Sequence, residues 1–236
     1  MYIININRYF ESIPLRERDK VKVFISDMYD GYLKIKTKYF PKTLFVIDLF
    51  HVIKLLSEAV KKIRIRTYNQ YAYEDSLERH FLKSNWKAFL CDETKICHKT
   101  YYSRKLDIYI SYGEIILRCI KMNTSFWDGY NILQDLFRYK YYDGYQETEK
   151  FIDWIIKRLE GSNEELLIKV AKTYSQWRNG IINGLCKRSS GKRLTNAVAE
   201  SNNSHIQRII DVAYGYKNFE RFRKRVMIIR TYKKER

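Results

Sequence analysis

The sequence predicts an α/β fold, in which a small parallel strand–helix–strand unit comes first and a long helical region follows. Three observations predict it. Two short runs rich in β-branched and aromatic residues, 20–26 and 43–47, each end at an aspartate. Both prolines, Pro14 and Pro41, lie in the first fifty residues, so helix is permitted everywhere after them. From residue 50 onward, apolar residues recur at helical spacing.

Each element follows from its own residues. Residues 7–18 have room for one helix. Residues 20–26, Lys-Val-Lys-Val-Phe-Ile-Ser, read as a strand that stops at Asp27. Tyr29, Tyr32, Leu33, Ile35 and Tyr39 make a helical stripe over 29–39, and Pro41 marks a turn. Residues 43–47, Thr-Leu-Phe-Val-Ile, form a second strand that stops at Asp48. A right-handed crossover makes the two strands parallel, and sites gather at the carboxyl ends of parallel strands.

Val52, Leu55, Leu56, Ala59 and Ile63 begin the helical region. Residues 70–150 interleave tyrosine with charge and predict several helices without sharp ends. Residues 151–159 and 164–186 are clearer, the latter carrying Leu166, Val170, Tyr174, Trp177 and Ile181 as one stripe. Residues 186–194 form a basic loop. Thr195 or Asn196 caps a helix to about residue 214, Gly215 stops it, and Asn218 caps a last helix over 219–232. One domain is expected, built as a partial sheet (1–50), a large all-α insertion (51–190) and C-terminal helices (191–236).

The chain has 236 residues, of which 45% are hydrophobic, enough to fill a core. No apolar run reaches the ~18 residues a membrane helix needs, and the first ten residues lack the apolar stretch of a signal peptide. Lys and Arg number 45 against 27 Asp and Glu, a net charge of +18. That excess suits a polyanion, nucleic acid foremost, though a merely solvated basic surface has the same composition. Cys91, Cys97, Cys119 and Cys186 include no C-x-x-C pair, and Cys91, Cys97 and His98 fit no zinc module. Buried thiols in a reducing compartment are expected.

Cleavage of a phosphodiester with divalent metals needs carboxylates converging from different elements. Asp27 at a strand end and Glu200 on a helix are candidates. An aspartate after a strand also serves as a helix N-cap, and a helical glutamate is commonly solvated. Local context adds to them. Ser26-Asp27-Met28 with Tyr32 is followed by Asp48-Leu49-Phe50-His51-Val52. Glu200 is followed by Asn203, Ile206 and then Ala213-Tyr214-Gly215-Tyr216-Lys217-Asn218-Phe219, with Trp177 and Ile181 between the blocks.

These blocks together resemble the bacterial insertion-sequence transposases of the ISL type, over nearly the whole chain. The resemblance implies a truncated RNase H-like core, with 20–26 and 43–47 as its fourth and fifth strands. It implies that Asp27 is the second and Glu200 the third acid of the D-D-E triad, both holding Mg²⁺ or Mn²⁺; Asp48 is the alternative second acid, and the strand order favours Asp27. Asp48 with His51 resembles the D-x-x-H element of Mutator-like transposases, and Asn203 is accessory. A packed or Asp48-bonded histidine is the alternative for His51.

The family begins with a zinc-binding segment, a helix-turn-helix region and three further strands, the first carrying the first triad acid. No residue here matches that acid, so weak metal binding and inactivity alone are expected. The lysine usual in the late helix is Gln207. DNA contacts are expected from Lys187, Arg188, Lys192 and Arg193 in the basic loop. Arg208, Arg221, Arg223, Lys224 and Arg225 are expected to add to them, with Arg230, Lys233 and Lys234 beyond.

The implied partners are transposon ends, target DNA, and a second copy or a full-length transposase, in the bacterial cytoplasm at the nucleoid. The rival expectation is a DNA-binding remnant that occupies transposon ends or inhibits a full-length enzyme. No role falls to the 21 tyrosines, although tyrosine can stack on exposed bases.

Overall fold

The computed structural model describes residues 2–71, 73, 76–104, 107–139, 144–187, 191–213 and 215–232. Arg188, Lys233 and Lys234 lie outside the described residues. The chain separates into two compact units, Met1–Leu194 and Thr195–Arg236.

The first unit opens with α1 (Tyr2–Ser12) and α2 (Leu15–Arg18). One helix was expected there, but Pro14 cannot continue α1 and instead starts the next turn. Strand β1 (Val23–Ser26) and strand β2 (Leu44–Ile47) pair in parallel, Val23 opposite Leu44 and Ser26 opposite Ile47. Helix α3 (Asp30–Tyr39) connects them, with Asp30 favouring its positive N-terminal end, and stops before Pro41.

Helix α4 (Leu49–Gln70) follows β2 directly. Asp48 is its N-cap, accepting from the Phe50 amide at 2.9 Å. Its buried face, Val52, Leu56, Ala59, Val60 and Ile63, keeps the helical period. Against this face pack α7 (Thr124–Arg138) and α9 (Glu165–Gln176). The Tyr174 hydroxyl, fully buried on α9, donates to the Val52 carbonyl of α4 at 2.6 Å. Helices α5 (Leu77–Ser84), α6 (Tyr112–Lys121) and α8 (Tyr145–Glu160) complete the layer around one apolar core.

The region 51–190 is not all helix. Strand β3 (Thr100–Ser103) and strand β4 (Ile108–Ser111) form an antiparallel hairpin inside it. The reason is a period of two that the mixed tyrosine and charge pattern conceals. Ile110 is buried opposite Tyr101, while Tyr102 and Tyr109 face out opposite each other. Asp107 helps to turn the chain, with φ of 54°.

The expected helix over 164–186 is two. α9 ends at Trp177 (φ −102°, ψ 14°), and α10 (Arg178–Leu185) starts there at a new angle. Glu164 caps α9, accepting from the Leu166 amide at 3.2 Å, and pairs with Arg66 of α4. Burial by itself would raise the Glu164 carboxyl, but Arg66 and the Leu166 amide outweigh it and hold it below its ordinary value of 4.5. A lowered carboxylate stabilises the fold above that value and loses its contribution as pH falls through the folded one. Arg66 is half-exposed, so Glu164→Gln is expected to cost only about 1 kcal/mol at neutral pH. Urea midpoints of the two proteins should converge in acid, below 4.5. An undiminished gap there would show that the ion pair is not what the glutamate contributes.

The second unit is α11 (Ala197–Val212) and α12 (Phe219–Tyr232). Gly215 at φ 96° ends α11, its amide donating to the Ile210 carbonyl at 3.1 Å. The Asn218 side chain caps α12 by accepting from the Arg221 amide at 3.0 Å. No side chain of α11 is buried.

Among the described residues no helix is long and apolar enough to cross a membrane. The cysteines are free. Cys119 and Cys186 are buried as expected, with the Cys119 thiol pushed up to about 12 by burial, but Cys97 is exposed and Cys91 half-buried.

Candidate functional site

The parallel pair ends in two acids at one edge. The Asp48 amide donates to the Ser26 carbonyl at 3.1 Å, which carries the register one step beyond Ser26–Ile47 and sets Asp27 beside Asp48. The two carboxylates differ in surroundings. Asp48 is buried and accepts from the Phe50 amide, and its carbonyl accepts from the His51 amide at 3.0 Å. Asp27 is half-buried, and its Oδ1 is a buried oxygen with no hydrogen-bond partner among the described residues. A buried carboxylate oxygen left without a hydrogen bond is costly. His51 is half-buried, its ring edge-on to Phe50 at 5.4 Å.

The two strands have unequal outer edges. Leu44 and Asp48 donate toward β1, so the intervening carbonyls of Phe45 and Ile47 point away from it. Helix α10 meets both. Asn183 Nδ2 donates to the Phe45 carbonyl at 2.9 Å. A Cβ at Gly184 would stand 1.9 Å from the Ile47 carbonyl oxygen, so the helix backbone lies directly on that edge. On β1 the alternation turns Val23 and Ile25 outward, and neither has a backbone partner among the described residues. Gly180, Asn183 and Gly184 did not register as site-forming in the sequence. Their spacing of three and one on an apolar helix was the available signal of a close approach.

Of the expected site residues, Asp27, Asp48 and His51 stand together in the first unit. The loop residues lie in the same unit. Lys192 is exposed there, Lys187 is half-buried, and the Arg193 guanidinium donates to the carbonyls of Leu185 (2.6 Å) and Tyr139 (3.3 Å). Glu200, Asn203, Arg208, Arg221, Arg223, Lys224 and Arg225 belong to the second unit, all exposed. Glu200 lies in the first turn of α11, where its charge suits the helix N-terminus. Arg223 pairs with Glu220 at 3.2 Å.

Fold and composition thus define a mostly helical α/β protein of strongly basic character, with paired acids at the ends of adjacent parallel strands. The transposase family model of the ISL3-type DDE transposases matches residues 4–226, and the chain belongs to that family. No curated protein and no solved structure matches it. Membership makes DNA the partner to expect.

Proposed function

We propose that the chain is a catalytic portion of a DNA transposase, with Asp27 and Glu200 as two of three metal-holding carboxylates. The reaction is cleavage of transposon ends and strand transfer into target DNA. The observation that carries this reading is the orphaned Oδ1 of Asp27 at a strand end, beside Asp48. An oxygen donor without a hydrogen-bond partner fits a hard cation such as Mg²⁺ or Mn²⁺, which takes few protein ligands and keeps waters. When bound, the cation would polarise the phosphoryl group and lower the pKa of the attacking water. Asp27 and Glu200 hold and orient; Asp48 fixes the start of α4 and so the place of His51.

The β1–α3–β2 unit corresponds in this reading to the last two strands of an RNase H-like sheet. The edge of β1 that is unpaired among the described residues is where a further strand, bearing the first triad acid, adds to it. No residue of this sequence is assigned that role, so the chain works only with a segment that supplies it. A second reading rests on α12, whose exposed Arg221, Lys224 and Arg225 have no acidic partner among the described residues. In it the protein binds transposon ends without cutting them, as a remnant or an inhibitor of a full-length enzyme.

The test is a Mn²⁺ titration followed by thermal unfolding, then nicking of end-containing DNA with the missing strand supplied on a separate polypeptide that lacks the other two acids. Mn²⁺ is expected to raise the melting temperature of the wild type, and Asp27→Asn is expected to lose that rise. Nicking should fail in both Asp27→Asn and Glu200→Gln. Salt-sensitive DNA binding with no response to Mn²⁺ would favour the second reading, and no DNA binding at low salt would end both.

A further inference from the structure

The end of the sheet that carries Asp27 and Asp48 also carries aromatic rings that the core leaves exposed. Tyr29 follows Asp27 by two residues and is 56% exposed, and Phe50 follows Asp48 by two and is 60% exposed. Tyr32, one turn along α3, is 41% exposed and sets its ring against Tyr29 at 5.5 Å and 78°. The hydroxyls of Tyr29 and Tyr32 make no hydrogen bond among the described residues. All three rings follow the strand ends that carry the acids, and Tyr29 and Tyr32 are exposed although the stripe over α3 alone would have put them in the core.

Cations accompany them. The Lys54 ammonium lies 5.9 Å from the Phe50 ring centre, and Lys34 is exposed on α3; neither has an acidic partner among the described residues. Exposed flat rings interleaved with free lysines, on a chain of net charge +18, are what a single nucleic-acid strand requires. The rings offer faces for bases and the lysines neutralise the phosphates between. A paired base within a duplex has both faces covered and gains little from such a ring. A purely protein partner would find the apolar area but would have no need of the unpaired cations.

We propose that Tyr29, Tyr32 and Phe50 form a stacking site for unpaired nucleobases beside the carboxylates, so that the site takes DNA whose strand end is opened rather than intact duplex. This rests on the reading of the acidic pair as a DNA-processing site, and it names the form of DNA that the site accepts. Opening the end exposes the bases, and the rings replace the stacking that is lost.

The experiment uses the 236-residue chain and two fluorescent probes at low salt, a single-stranded oligothymidine and a blunt duplex of equal length, read by anisotropy. Tyr29→Ala and Phe50→Ala are each expected to weaken single-strand binding about ten-fold, with duplex binding nearly unmoved. Tyr29→Phe keeps the ring and should bind as wild type. Phe50→Leu keeps apolar bulk and folds alike, yet should lose affinity with Phe50→Ala. Unchanged single-strand affinity in the alanine variants, or equal loss on both probes, overturns the stacking site while leaving the DNA reading intact. So does a shift in oligomeric state on sedimentation with no change in affinity, which would mark the rings as a protein contact. Failure of the wild type to bind either probe overturns the DNA reading itself, and this one with it.

Discussion

Gly184→Ala is expected to lower the stability of the first unit by about 3 kcal/mol, read as a fall in the urea midpoint. Two effects oppose each other at this position. Alanine is the better helix former by about 1 kcal/mol, so an exposed helical glycine would gain from the change. Here the new methyl would stand 1.9 Å from the Ile47 carbonyl oxygen, an atom of the backbone held by the strand pair. That oxygen cannot turn aside, so the helix must lift off the strand and Asn183 must release Phe45. Steric exclusion therefore wins. Gly180→Ala provides the graded comparison. Its methyl would meet Ile47 Cγ1 at 2.8 Å and the Phe45 ring at 3.1 Å, both side-chain atoms able to move, and about 1 kcal/mol is expected. A midpoint unchanged or raised in Gly184→Ala would mean that α10 does not rest on β2 in solution.

Trp177→Ala is expected to cost about 3–5 kcal/mol, the range for deleting a large buried aromatic. The indole is 5% exposed and packs on Phe45 of β2, ring centres 5.9 Å apart. It also stands where α9 gives way to α10, so it sets the angle at which α10 reaches the strand. Trp177→Phe retains a ring against Phe45 and should keep most of the stability. Chemical denaturation of both variants, followed by far-ultraviolet circular dichroism, separates loss of packing from loss of helix. If alanine and phenylalanine cost the same, the bend is held by the backbone and not by the ring.

The parts of the fold that were legible in the sequence are those in which one period dominates. Both strands of the parallel pair and the helix between them fall within a few residues of where β-branched runs, Pro41 and the terminal aspartates put them. Gly215 and Asn218 delimit the last two helices through backbone conformation and capping, which are local effects. The hairpin at Thr100–Ser111 was not legible, because Tyr and Ile serve a strand or a helix equally and only cross-strand pairing decides. The bend at Trp177 was not legible either. No proline marks it, and α10 is held on β2 by contacts far off in sequence.

The site divides in the same way. Adjacency of Asp27 and Asp48 follows from two strand ends and a short crossover, so sequence spacing alone pointed to it. That one carboxylate oxygen stays unsatisfied while its neighbour caps a helix depends on the packed interior. The exposure of Tyr29 and Phe50 was hidden for the same reason, since an apolar stripe announces only that something will cover it.

The asymmetry of the small sheet has a consequence for how copies of this protein meet one another. A ribbon with two free borders is a template that can be extended without limit, and such growth ends in fibres. With a helix fastened along one border, addition has a single polarity. A strand added along the remaining border would complete the ribbon on that side, and growth would stop there.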